Sequence, residues 1–424
     1  MNLIESYKLG QRGSNKGLPM GEGLKAISQT LNGVQRARIY TVAAAPKGGK
    51  TTFVDAGFVI EPCLYALEHN ERINKKILDL DALIDLEEDY EKRMALIKEK
   101  IEITKTLVEI EYIYNSYEID RISKEFDFSA HFLNRDFGID IINLPPGKYY
   151  QGKNYVKLSA SYLKGELTYD TPEGYEGESE IIKVEDDLLE KLIKVYETRI
   201  IPLFGEYDAN GVQIKKGIIT ILENKDNPTG VRNFLLAHAQ ENGEFLYTTV
   251  EKNGQKFTRL TGYKPKNPYK YTIIITDHLR KLIPERGFNM KQTVDKFSEY
   301  AVELRNLCGY TFVHIIHLNR ALTNIERLKN DTNKLFPQSD DIKETGNLSE
   351  DSNYVITLFS PNDDRYKLKK HFDLIIRSTN DMLLYPNMMS IHLVESRHCK
   401  YPQHWRVNML GEVKKFTKFI KKEN

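Results

Sequence analysis

Cysteine is scarce: Cys63, Cys308 and Cys399 are the only three in 424 residues, and each stands alone. That dispersal excludes a disulfide framework and any zinc-knuckle spacing, and it points to a reducing, cytoplasmic setting. No apolar run approaches the roughly 18 residues that a membrane span needs. The opening stretch "MNLIESYKLGQRGSNKG" lacks the apolar core of a secretion signal. Charge of one sign is missing too, since 61 Lys+Arg face 60 Asp+Glu. A whole-chain basic field is thereby excluded, and any nucleic-acid contact must come from a local basic surface, such as a channel built by several subunits. The tail "KKFTKFIKKEN" is basic, as solvated chain ends often are. No internal repeat or low-complexity linker divides the sequence. With 40% hydrophobic and 29% charged residues, a single elaborated globular domain over 1–424 is expected.

What is present is an alternation of apolar runs and helical patterns, the mark of an α/β protein. "RIYTVAAA" (Arg38–Ala45) suits a buried strand, and a helix is expected from Lys50 to about Ile60. Further strands are expected at Leu107–Ser116, Gly217–Glu223, Tyr271–Asp277, Tyr310–His317, Asn353–Ser360, Met388–Ser396 and Gln403–Leu410. Near-continuous apolar runs of this kind are typical of parallel strands covered on both faces. "DKFSEYAVELRNL" supplies a helix between two of them.

Two insertions interrupt the pattern, a helical one over 61–106 and a turn-rich one over 145–216, with 1–37 as an N-terminal segment. In the first, Leu83, Tyr90 and Ile97 recur at a seven-residue spacing, as do Met94 and Ile101. This predicts an amphipathic helix or helical hairpin resting against its own domain. The second holds "LPPGKYYQGKNY" and "TPEGYEGES" before a helical "VEDDLLEKLIKVYETRI".

The segment "VAAAPKGGKTTF" (Val42–Phe53) carries the chemistry. A phosphate loop needs a turn whose N–H groups face inward, a lysine for the outer phosphates and a hydroxyl for magnesium. Ala45, Pro46, Lys47, Gly48, Gly49, Lys50, Thr51 and Thr52 fit that pattern, although Ala44 stands where the first glycine is usual. A preceding strand and a following helix favour a cradle for ATP over a glycine-rich surface turn. Asp277 closes the apolar run "YTIIITD", where a carboxylate costs energy unless it serves a charge such as Mg²⁺. Glu118, just after another apolar run, could polarise water, but by position it is equally a helix-capping or surface glutamate.

Together these pieces resemble the RecA-like ATPase domain of DnaB-family replicative helicases. "GLPMGEGLKAISQTLNGVQRARIYTVAAAPKGGKTTF", "IYNSYEIDR", "IIITDHLRKL", "IIHLNRAL", "SDDIKETGNLSEDSNYVITLF" and "HLVESRHCKYPQHWRVNMLGEVKKF" occur in the family's order. The resemblance implies a RecA-like P-loop NTPase with a largely parallel central sheet flanked by helices. It implies that Lys50 contacts the β- and γ-phosphates of ATP, that Thr51 and Asp277 hold Mg²⁺, and that Glu118 activates water. His317 falls where the family has a glutamine sensor of the γ-phosphate, and Arg397 falls where an arginine reaches a neighbouring subunit's nucleotide. Glu395 replaces the lysine that accompanies that arginine, so the second charge must come from elsewhere, with Lys400 and Arg406 as candidates. Arg320, Lys343, Glu344 and Gly346 match DNA-facing positions, where lysine stands for the family's arginine and gives a less directional phosphate contact.

The function so implied is a hexameric, ATP-driven helicase on single-stranded DNA acting in replication, with a loader or replisome protein as a further partner. The insertions are of a phage-encoded style, which would place the chain in a host cytoplasm. About forty residues precede the loop, too few for the family's N-terminal collar domain. Two other classes fit the same residues: a filament-forming RecA-type recombination ATPase, and a nucleotide-gated DNA-binding scaffold without useful turnover. A DNA-packaging motor fits less well, because no second domain carries a nuclease's clustered carboxylates.

Overall fold

The computed structural model describes residues 16–116, 120–171, 177–222, 226–252, 255–319, 335–342, 346–366 and 368–421. Nine strands form the central sheet: β1 (Ile39–Ala44), β2 (Ile110–Ser116), β3 (Ile219–Leu222), β4 (Tyr271–Asp277), β5 (Thr311–His317), β6 (Tyr354–Phe359), β7 (Met388–Ser396), β8 (Gln403–Leu410) and β9 (Lys415–Lys418). Their spatial order is β9-β8-β7-β6-β1-β5-β4-β2-β3. The six strands from β6 to β3 run parallel, and β7, β8 and β9 add antiparallel pairs at one side. Each expected strand is found, with ends trimmed by up to three residues.

Alternation along each parallel strand feeds two separate cores. Tyr40, Val42, Tyr112, Tyr114, Ile273 and Ile275 face one, whereas Ile39, Ala43, Ile113, Ile274 and Phe312 face the other. Because both faces are buried, the strands read as unbroken apolar runs. The first core is covered by the helix that begins at the glycine-rich loop, through Phe53 and Phe58. The second lies under α5 (Pro228–Asn242) and α6 (Met290–Cys308), through Val231, Leu235, Phe297 and Ala301. α6 starts in a reciprocal cap between Asn289 and Gln292 and stops at Gly309, whose φ of 74° is the left-handed value that favours glycine.

The helix after the loop does not end near Ile60. α1 (Lys50–Val54) passes through a π turn, Asp55–Ile60, directly into α2 (Glu61–Leu86). Nothing in "DAGFVIEPCLYAL" breaks it, because Pro62 sits at the first positions of α2, where its missing N–H is tolerated. α3 (Tyr90–Thr104) folds back along α2. The resulting hairpin does not rest its apolar residues on the domain: Leu83 is 53% exposed and Tyr90 76%, and α3 buries no residue. It is held at its root instead. Asn70 gives Nδ2 to Val108 O and takes Val108 N on Oδ1, both at 2.8 Å.

Two elements escaped the sequence reading. α4 (Arg121–Phe137) follows β2, capped by Asp120 and ended by Gly138. An antiparallel ribbon, Gly243–Lys252 with Gln255–Pro265, continues straight from α5. No helix among the described residues is long and apolar enough to cross a membrane.

Candidate nucleotide site

The loop between β1 and α1 is a tight cradle. Lys47 and Gly49 both take positive φ, 59° and 77°, which turns successive N–H groups toward one side. A Cβ on Gly48 would come within 2.8 Å of Ala45 O, so glycine is required there by backbone contact. Ala44, in place of the usual first glycine, costs nothing: it is the last residue of β1, fully buried and paired in register with His317 and Leu358. Lys50 is buried at the start of α1, and its ammonium donates to Ala45 O at 3.0 Å and Ala44 O at 3.4 Å. These carbonyls hold the charge across the mouth of the cradle.

Parallel pairing brings the other residues to the same edge. Asp277 ends β4, and Thr51 Oγ1 donates to its Oδ2 at 3.0 Å. Burial raises the Asp277 carboxyl above its ordinary value, against the opposing charge of Lys124 and the hydrogen bond from Thr51. A carboxylate so placed gains from a cation. Among the described residues no group of three His, Cys, Asp or Glu could hold a metal alone. One hydroxyl and one carboxylate suit Mg²⁺, which keeps waters and takes phosphate oxygens rather than filling an all-protein cage. Thr51 and Asp277 are the residues that would hold it.

His317 ends β5 beside Ala44, and its ring meets that of His278 at 4.4 Å between centroids. β2 ends at Ser116, paired with Asp277, and Glu118 lies two positions further on, outside the described residues. Arg320, Lys343 and Glu344 also lie outside them, while Gly346 opens the short helix α7 (Gly346–Asp351). Pro46 and Lys47 are exposed at the loop tip, and Thr52 is buried.

Arg397 does not join this group. It follows β7, donates its N–H to Asn353 O at 3.0 Å, and is exposed at the edge where the parallel strands begin, opposite Lys50. Arg406 is not beside it: it pairs across β8 with Ser390 and is ion-paired to Asp373. Six residues of β7 separate Ser390 from Ser396, about 20 Å of strand.

A cavity of about 300 Å³ opens beside the loop, lined by Lys47, Gly48, Leu318, Phe359, Asn362 and Tyr366. Sequence reading does not signal it, because 360–386 carries no motif. A larger cavity, about 1120 Å³, lies away from the cradle between the Glu22–Gln29 segment and β8–β9.

No family model and no curated protein matches the chain. Solved structures do. One, described as the ATPase domain of a larger protein, superposes with a TM-score of 0.53 at 11% identity, covering 99% of this chain and 97% of that one. A DnaB-like replicative helicase, described with its interactions with primase, gives the same TM-score and identity over 99% of this chain and 66% of that chain. The fold is RecA-like. In RecA-like terms β1 is the phosphate-loop strand, β4 the magnesium strand, and β5 runs between them. The likeness carries the architecture, while the chemistry rests on Lys50, Thr51 and Asp277.

Proposed function

We propose that this chain is a ring-forming ATPase that moves along single-stranded DNA, a replicative helicase of the DnaB kind. The observation that carries the reading is the division of one catalytic set between opposite edges of the sheet. Lys50, Thr51, Asp277 and His317 gather at the edge where the strands end. Arg397 stands at the edge where they begin. A single copy cannot close that set, but a head-to-tail neighbour can, and such contacts close into rings.

In this reading the cradle takes the β- and γ-phosphates of ATP, and Lys50 moves from its carbonyls to the phosphate oxygens. The cavity by Tyr366 is sized for the base. Glu118 orients the attacking water, His317 donates to the γ-phosphate, and Arg397 of a neighbour offsets charge on the transferring group. Arg320, Lys343, Glu344 and Gly346 serve the DNA strand through phosphate contacts that ignore sequence. The partners are single-stranded DNA, further copies in a hexamer, and a loader or replisome protein.

The test is unwinding of a forked duplex bearing a 5′ or a 3′ tail, with ATP and magnesium. We expect unwinding with the 5′ tail, DNA-stimulated hydrolysis, and loss of both in Lys50→Ala and Glu118→Gln. Wild type and Glu118→Gln hydrolysing at equal rates would instead indicate a nucleotide-gated scaffold. Open filaments in electron micrographs with a non-hydrolysable analogue would indicate a strand-exchange ATPase.

A further inference from the structure

Four basic residues from separate parts of the chain converge on Asn353, at the edge opposite the phosphate loop. Its Oδ1 accepts from Ile39 N at 2.8 Å and from an Arg305 guanidinium N–H at 3.4 Å. Its Nδ2 donates to His398 Nε2 at 3.0 Å, and its backbone oxygen accepts from Arg397 N at 3.0 Å. Arg38 adjoins Ile39 and spends its Nε on Gln35 Oε1 at 3.0 Å. Helix α6, the lead into β1, and the turn after β7 thus present Arg305, Arg38, Arg397 and His398 around one amide.

These charges are not neutralised locally. Among the described residues no ion pair joins a carboxylate to Arg38, Arg305 or Arg397. Nearby acids are engaged elsewhere: Glu303 takes Arg232 through two bonds of 2.8 and 2.6 Å, and Asp351 accepts from Ser298 Oγ at 2.6 Å. Burial and the Arg397 charge hold the Arg305 guanidinium below its ordinary value, and burial with Arg38, Arg397 and Arg305 holds His398 low. Like charges gathered this closely repel one another, and a multivalent anion relieves the repulsion.

We infer that Arg305, backed by Arg38, supplies the second positive charge of a composite anion site around Arg397, whose ligand is the triphosphate held by Lys50 of an adjoining copy. The inference rests on the function proposed above and names what that reading lacked. Glu395 occupies the position where a companion lysine was expected, and Arg406 is committed to Asp373. The missing cation therefore comes from helix α6, far earlier in the sequence, and not from the β7–β8 turn. Two guanidiniums can grip phosphate oxygens through planar forks, which an ammonium cannot do.

The experiment is steady-state ATP hydrolysis with single-stranded DNA by the full chain, comparing wild type, Arg305→Ala, Arg305→Lys, Arg38→Gln and Lys50→Ala, followed by mixing of variants. Arg305→Ala should lower kcat about tenfold or more, less than loss of a principal arginine finger, while KM for ATP moves less than about threefold. Arg305→Lys should recover part of the rate. Mixing Arg305→Ala with Lys50→Ala copies should restore activity above either alone, because some interfaces then pair an intact phosphate loop with an intact Arg305. An Arg305→Ala rate equal to wild type, or a loss that mixing does not rescue, overturns the site. If Arg305→Ala fails to fold, Arg305→Lys and Arg38→Gln at wild-type rates overturn it equally. Loss of hydrolysis in Lys50→Ala but not in the arginine variants leaves the ATPase reading standing and removes this inference alone. A wild-type chain that hydrolyses no ATP removes both.

Discussion

Lys124 and Asp55 form an ion pair sealed from solvent behind the phosphate loop. The ammonium lies 2.7 and 2.8 Å from the two carboxylate oxygens, and each side chain is 1% exposed. Tyr114 OH adds a bond to Oδ1 at 2.9 Å, and Lys414 approaches Oδ2 at 3.6 Å. Asp55 lies one helical turn after Thr51, while Lys124 is in the first turn of α4, which follows the stretch holding Glu118. The pair therefore ties the helix that positions the magnesium hydroxyl to the helix after β2.

Removing one partner strands the other charge in a dry interior. Lys124→Met or Asp55→Leu alone should cost about 3–5 kcal/mol, and the double variant considerably less, because no unpaired charge remains. Urea denaturation of the three variants checks this. A double variant as unstable as the sum of the singles would show that the two side chains act independently.

The same pair sets an acid limit. Burial would raise the Asp55 carboxyl, but the charges of Lys124 and Lys414, with hydrogen bonds from Lys124 and Tyr114, outweigh it and hold the group below its ordinary value. A lowered carboxyl stabilises the fold fully above its unfolded value, near 3.9, and loses that contribution as pH falls toward the folded value. The stability gap between wild type and Asp55→Asn should thus be constant above about pH 5 and shrink below about pH 4. Denaturation midpoints between pH 3 and 7 measure it, and a gap that widens on acidification would contradict the assignment.

Asp277 has the opposite sign. Its carboxyl is raised by burial, so the nucleotide-free fold bears the cost of an ionised group there. Asp277→Asn should leave the melting temperature without Mg²⁺ unchanged or higher, while DNA-stimulated hydrolysis falls by about 100-fold or more. Calorimetry in EDTA and a phosphate-release assay read the two effects separately. A lower melting temperature in EDTA would mean that the carboxylate has a structural task.

The helical arm should be dispensable to folding. Asn70 and Val108 clasp its root, and its apolar residues are largely exposed. Replacing 73–104 with a short Gly-Ser linker should shift the melting temperature by less than about 3 °C, since little buried area is lost. Thermal denaturation of the shortened chain decides the point, and collapse of its cooperative transition would show that the arm stabilises the core.

The strands were legible because burial on both faces leaves an unbroken apolar signature, and the cradle because glycines are forced by backbone proximity. Asp55–Lys124 was not legible, since its partners are 69 residues apart and each resembles an ordinary surface charge. The same holds for the basic cluster on Asn353. The long ribbon could have been found: Asn253-Gly254 is a hairpin-turn signal set between alternating runs. The end of the loop helix could not, because no glycine, and no proline in a disruptive position, marks Ile60.

That uninterrupted helix has a mechanical consequence. From Lys50 to Leu86 it spans about 55 Å at 1.5 Å per residue. A tilt of about 5° at the cradle end would swing the far tip by about 5 Å over that length. A nucleotide-driven adjustment too small to notice at the phosphates would be a displacement of atomic-contact size at the arm, far outside the sheet.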